Sequence, residues 1–189
     1  MTFDDGPDPD VTPALLDALE AEGIHATFFL LGEQMMSEPS LAGQVRRRGH
    51  EIALHGYEHV EHDTWWPGQT RDDLARGLGT LQVAAGVTPR WYRPPYGVLS
   101  QASFDACADL GFEPVYWSGW GCDWEAIDAE RIAELACRDL AEGDIVLLHD
   151  SARYATRPDA TPTVEAIPLI AARARERGIE LVSLSEALL

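Results

Sequence analysis

A chain of 189 residues with 46% hydrophobic content is long enough to bury one substantial core and sits near the usual size of one domain. Fourteen arginines, no lysine and 32 acidic residues leave a formal charge of −18, which argues against nucleic acid or another polyanionic surface as partner and favours a neutral or cationic one. No run reaches the ~18 apolar residues of a membrane span, and the first residues have neither the basic nor the apolar part of a signal peptide, so no transmembrane segment is expected and the chain as given reads as soluble.

In chain order, a short apolar strand at residues 1–3 leads to a helix opened by Thr12 and Pro13, lined by Leu15, Leu16 and Leu19 and closed by Gly23. Strands follow at 25–31 and 51–54. Thr70 with Asp73 reads as the start of a helix carrying Leu74, Leu78 and Leu81 and ending at Gly86. Strands at 90–92 and 114–117 precede a helix capped by Asp128, with Ile132 and Leu135 on its inner face. A strand at 144–148 comes next, then a last helix that Pro168 should kink or delay, then a strand at 180–184. Seven strands alternating with helices predict an α/β fold with a parallel sheet, either closed into a barrel or open and doubly wound. The three cysteines, Cys107, Cys122 and Cys137, form no CxxC pair and signal neither a disulfide framework nor a thiolate zinc site.

The polar residues fall where such folds gather chemistry. Asp4, Asp5, His55, Arg93, Asp123 and His149 each lie at or just beyond the C-terminal end of a predicted strand, the face on which the βα loops of parallel architectures assemble sites. His55 and His59 are four apart, and a helical turn would point both imidazoles to one side at a spacing suited to zinc. The alternative to metal binding is two surface histidines on an exposed turn. Asp4-Asp5-Gly6-Pro7 puts two carboxylates at a sharp turn, where one could bind metal and the other take a proton; the alternative is an acidic turn capping the following helix. Arg93-Pro94-Pro95-Tyr96-Gly97 is a stiff loop suited to holding backbone donors still. Leu147-Leu148-His149-Asp150 ends a buried strand in an ionisable pair, where a desolvated histidine could carry a shifted pKa.

Taken together, TFDDGP at 2–7, HxxxH at 55–59, RPPYG at 93–97, the Asp123-Trp124 pair and LLHD at 147–150 resemble, in order and rough spacing, the polysaccharide deacetylase family, the NodB homology domain of carbohydrate esterase family 4. The resemblance spans nearly the whole chain and implies one catalytic domain over 1–189, folded as a distorted (β/α)7 barrel. It implies hydrolysis of an N-acetyl group on a poly- or oligosaccharide containing N-acetylglucosamine, of peptidoglycan or chitin type, by a metal-activated water. Asp5, His55 and His59 would bind a divalent metal, zinc foremost, with cobalt or nickel able to substitute. Asp4 would be the general base oriented by Arg93, and His149 the general acid supported by Asp123. The Tyr96 backbone N–H would stabilise the oxyanion, and Trp124 and Leu147 would wall the acetyl pocket.

Three departures stand out. Gly56 replaces the hydroxyl residue that usually follows the first histidine, Trp120 stands where the fourth motif often has a further Asp, and few residues precede TFDDGP. Of six tryptophans, Trp117 and Trp91 read as core, while one of Trp65 and Trp66 is expected to touch substrate. Other readings remain open: an O-acetyl xylan esterase or small-molecule deacetylase on the same fold, a zinc peptidase using Glu58 in His55-x-x-Glu58-His59, or a non-catalytic carbohydrate module. Oligomeric state is left open; the compartment is extracellular or envelope if an upstream signal has been removed, and cytoplasmic otherwise.

Overall fold

A computed structural model describes residues 1–188. Its sheet has seven parallel strands: β1 (Thr2–Asp4), β2 (Thr27–Leu30), β3 (Glu51–Leu54), β4 (Trp91–Tyr92), β5 (Glu113–Pro114), β6 (Gly119–Trp120) and β7 (Val146–His149), in the order β5-β4-β3-β2-β1-β7-β6. Eight α-helices among the described residues connect and cover them: α1 (Thr12–Glu22), α2 (Gly32–Ser37), α3 (Pro39–Arg47), α4 (Pro67–Ala85), α5 (Gln101–Leu110), α6 (Ala129–Ala136), α7 (Thr161–Glu176) and α8 (Leu184–Ala187). β1 and β4 are three ladders apart, a span of about 14 Å in a flat sheet. Arg93, the residue after β4, nevertheless places Nη1 2.8 Å from Asp4 Oδ1 of β1. The sheet therefore curls strongly, into an incomplete barrel whose free edges are β5 and β6.

Strand periodicity divides the side chains between two layers. Phe3, Phe28, Leu30, Leu54, Tyr92 and Leu148 join the helices in the main core, where Leu15, Leu16 and Leu19 of α1 are fully buried, each stabilising the fold by ~1.5–3 kcal/mol. Phe29, Ala53, Trp91 and Val115 form a smaller second cluster, with Leu184 packed on it. α1 ends where Gly23 turns left-handed at φ 69°, and Asp128 caps α6 by accepting from the Arg131 N–H at 2.8 Å.

The strand count agrees with the sequence, but one member differs. Residues 180–184 are not in the sheet: Val182 O accepts from the Met1 amino group at 2.8 Å, Leu184 N–H donates to Thr27 Oγ1 at 2.9 Å, and Ser183 caps α8. Both edges of β1 are already taken by β2 and β7, so this apolar stretch packs against the core without pairing. The remaining strand is β6, hidden in the sequence by its glycines. A Cβ at neighbouring Gly121 would sit 2.7 Å from Leu148 and 2.9 Å from Ile132, so the close approach of α6 excludes the side chains that mark a strand.

Two helix starts also differ. α4 begins at Pro67, leaving Thr70 and Asp73 buried inside it. α7 begins at Thr161 with Pro162 in its first turn and runs through Pro168, which lies on the exposed side, where the carbonyl that loses its donor faces solvent.

One half-buried carboxylate ties the chain end to the sheet. Glu51 accepts from Thr27 Oγ1 at 2.7 Å, Trp91 Nε1 at 3.0 Å and Ser185 N–H at 3.1 Å, and from the Ser185 hydroxyl. Glu51→Leu strands these donors and is expected to destabilise the protein by about 3 kcal/mol in urea denaturation; a change below ~1 kcal/mol would contradict this account.

Candidate active site

Asp4 ends β1 with its side chain on the concave face of the sheet, whereas Asp5 adopts φ 81°, a left-handed conformation that non-glycine residues rarely take. That turn lets two consecutive carboxylates serve one site instead of pointing to opposite faces. Behind it Gly6 has no room for a side chain, since a Cβ would collide with the buried Asp150 carboxylate.

His55 follows β3 directly. Its Nδ1 lies 2.7 Å from the Arg93 carbonyl, which fixes Nδ1 as the protonated nitrogen and turns the Nε2 lone pair toward Asp5. His55 Nε2 and His59 Nε2 stand 3.4 and 3.1 Å from Asp5 Oδ1. The expected helical turn is absent here. Residues 55–60 form an irregular loop, and the imidazoles converge because Gly56 takes φ 106°. One ligand atom from each of Asp5, His55 and His59 lies within 4.8 Å of the others. Asp5 Oδ1 is buried without a hydrogen-bond partner, although burial should make such an atom costly. An orphaned carboxylate oxygen facing two imidazole nitrogens is the donor set of a divalent cation, so these residues fit a metal.

Asp4 and His149 are register partners on β1 and β7, which sets them on one face beside the triad. Asp4 Oδ1 pairs with Arg93 Nη1 at 2.8 Å, and the same nitrogen donates to Thr2 Oγ1 at 2.8 Å. On the other flank, the Asp123 carboxylate takes the His149 backbone N–H at 2.9 Å and meets its Nδ1 at 2.8 Å. Burial disfavours the imidazolium, yet Asp123, with Asp5 and Asp4 behind it, lifts His149 to about 9. Asp123 moves the other way: burial alone would raise it, and His149 and Arg157 hold it low.

The sequence-predicted positions thus converge, apart from some aromatic assignments. Tyr96, at φ 56° and 56% exposed, packs its ring across the His59 ring with the ring centres 4.4 Å apart. Trp124 meets His149 edge-on at 5.6 Å, and Leu147 is buried on β7. Trp91 is core as expected, whereas Trp117 is only partly buried and lies over Gly97. Trp65 stacks on buried His62 at 5.0 Å, which leaves Trp66, 63% exposed, as the free indole of that pair. Glu58 is exposed, and the acidic residue that joins His55 and His59 is Asp5.

Three contributors were not read from the sequence. Thr163 Oγ1 donates to Asp123 at 2.7 Å, and buried Arg157 lies 3.5 Å from the same carboxylate. Tyr154 stacks on His59 at 4.0 Å between ring centres and 13° between planes. Tyr154 and Arg157 come from the irregular stretch 151–160, and Thr163 from the first turn of α7.

Fold and site define a parallel α/β protein with a candidate metal triad flanked by a carboxylate–arginine pair and a histidine–aspartate pair. The family model for polysaccharide deacetylases matches residues 1–115, and the chain belongs to that family. A peptidoglycan-N-acetylglucosamine deacetylase of Bacillus cereus is 34% identical over 191 residues, covering 100% of this chain and 86% of the relative. A chitooligosaccharide deacetylase of a Bradyrhizobium species is 32% identical, covering 96% of this chain and 86% of its own. Among solved structures, a peptidoglycan N-acetylglucosamine deacetylase in complex with 4-naphthalen-1-yl-N-oxidanyl-benzamide superposes with a TM-score of 0.91 at 29% identity, covering 98% of this chain and 85% of that one.

Because the His149 value is raised, the His149–Asp123 pair stabilises the fold fully below about 6.5 and loses that contribution as pH rises through about 9. NMR titration of the metal-free protein should find the His149 ring still protonated at pH 8. In Asp123→Asn it should titrate well below that, and a parent titration near 6.5 would refute the assignment.

Proposed function

We propose that residues 1–189 act as one catalytic domain, a metal-dependent deacetylase that hydrolyses N-acetyl groups on poly- or oligosaccharides containing N-acetylglucosamine, of peptidoglycan or chitin type. The observation that carries this reading is the Asp5, His55 and His59 triad lying between Asp4–Arg93 and His149–Asp123. The deacetylases that the chain resembles, together with its charge of −18, support a neutral acetylated sugar as substrate.

Asp5, His55 and His59 would hold the cation; two imidazoles and one carboxylate suit zinc, and cobalt or nickel can occupy such nitrogen and oxygen ligands. When bound, the cation supplies an acidified water and charge stabilisation at the acetyl oxygen. Asp4, steadied by Arg93, which Thr2 helps to hold in place, takes the proton from the attacking water. The Tyr96 N–H helps hold the charge that develops on oxygen, while Trp124 and Leu147 enclose the methyl group.

His149 gives its proton to the departing nitrogen. This step favours an amide over an ester, because an amine is a poor leaving group until nitrogen is protonated, and Asp123 keeps His149 charged at neutral pH. The proton acceptor and proton donor are register partners on adjacent strands, so one substrate can reach both.

The test is acetate release from N-acetylated chito-oligosaccharides by the zinc-loaded protein. Asp4→Asn and His149→Ala should each lower kcat by about 10²–10⁴, while Glu58→Gln should retain activity. Activity lost with Glu58→Gln and kept with Asp4→Asn would move the reading to a peptidase, and sugar binding without acetate release to a carbohydrate module. A hydroxamate presents two oxygens to a cation and should inhibit the loaded enzyme.

A further inference from the structure

The loop that carries His55 and His59 has no regular structure, yet it holds their ring centres 5.3 Å apart. Its backbone is gripped from two sides. From the first turn of α2, Gly32 N–H donates to Gly56 O at 2.9 Å and Glu33 N–H to Tyr57 O at 3.0 Å. From inside α4, the Asp73 carboxylate accepts the Tyr57 N–H at 2.8 Å and the Glu58 N–H at 3.0 Å.

Asp73 does not act alone. Arg76 lays its guanidinium 3.6 Å from the centre of the Tyr57 ring. Gly77 packs so close that a Cβ there would lie 3.1 Å from the carbonyl carbon and oxygen of Gly56. Positions 73, 76 and 77 are spaced i, i+3 and i+4, hence on one face of α4. A carboxylate buried within a helix is costly unless its oxygens are satisfied, and here its hydrogen-bond donors are loop amides between the two imidazoles. Gly56 offers no side chain to brace the loop; a Cβ there, at φ 106°, would approach Asp73 Oδ2 to 3.1 Å. The carboxylate lies tightly against the place where a side chain at position 56 would start.

We propose that Asp73, seconded by Arg76 and Gly77, is a positioning clamp for the metal-binding loop, fixing His59 relative to His55 and so setting metal affinity without touching the metal. This rests on the reading of Asp5, His55 and His59 as metal ligands. Groups behind metal ligands typically change affinity 10- to 100-fold when removed.

The experiment measures zinc affinity by chelator competition, with cobalt(II) absorption as a report on ligand geometry, for the full chain, Asp73→Asn and Arg76→Ala. Asp73→Asn preserves size but not the pair of acceptor oxygens, and its zinc Kd should rise about 10- to 100-fold with an altered cobalt spectrum. Arg76→Ala, on the exposed side of α4, should raise Kd about two- to fivefold. A merely structural Asp73 would lower the melting temperature of the metal-free protein yet leave Kd and cobalt spectrum of the folded fraction unchanged. That result would overturn the clamp alone. Should Asp73→Asn fail to fold, an unchanged Kd in Arg76→Ala would overturn it instead. A parent chain that binds neither zinc nor cobalt would overturn the metal reading and the clamp together.

Discussion

A guanidinium buried inside the curled sheet is the interaction on which the rest depends. Taking Arg93 out of water costs several kcal/mol, and that is tolerable only if its charge and most of its hydrogens are answered. They are: Nη1 meets Asp4 and Thr2 from β1, Nη2 the Tyr116 carbonyl, Nε the Val115 carbonyl, and the face of the group lies 4.1 Å from the Phe29 ring of β2. These partners come from both sides of the sheet, so satisfying Arg93 and curling the sheet are one requirement. Its own backbone adds to this, since the Arg93 carbonyl sets the His55 ring. Lysine has one compact ammonium and could not reproduce this fork.

Local strain collects at the same rim. Among the described residues the non-glycines with positive φ are Asp5, Tyr96 and Cys122, and each lies shortly after a strand whose end faces the site, β1, β4 and β6. Such conformations cost of order 1–3 kcal/mol each and persist where the surroundings over-determine them. At Asp5 the result is visible, because the left-handed turn swings the second carboxylate toward the imidazoles. At Cys122 it precedes Asp123, whose oxygens are then fully engaged by His149 and Thr163. The strain sits beside the charged pairs that hold it in place.

Much of this was legible in the sequence, for a physical reason. Asp4, His55, Arg93 and His149 are placed by their position at or next to a strand end, and strands such as 51–54 and 146–149 announce themselves by apolar runs. β6 did not, because it is two residues long and bordered by Gly121, which answers to the approach of α6 and not to strand propensity. The 180–184 segment misled for the converse reason: an apolar run reports burial, and burial does not require pairing. Asp73 read as a helix-start residue because its partners are backbone amides of a loop sixteen positions earlier, a relation without local periodicity. Arg157 and Tyr154 escaped likewise, reaching the site from an irregular segment, and Thr163 from the first turn of α7, where only three-dimensional contact distinguishes them from surface polar residues.

The two flanking pairs also explain how one rim can offer opposite proton traffic. Asp4 and His149 stand as neighbours in register, and alone a carboxylate and an imidazole so placed would simply pair with each other. Each is claimed elsewhere. Arg93 engages Asp4 from within the barrel, and Asp123 binds both the His149 backbone N–H and its Nδ1 from the β6 side. Asp123 thereby fixes which imidazole nitrogen is left for the site, and its charge keeps the ring protonated. Arg157 and Thr163 in turn occupy Asp123 Oδ2, so that the carboxylate stays an acceptor. In the proposed reaction the acceptor and the donor of protons are thus set apart by their buried partners before substrate arrives, the condition under which both act on a single bond at neutral pH.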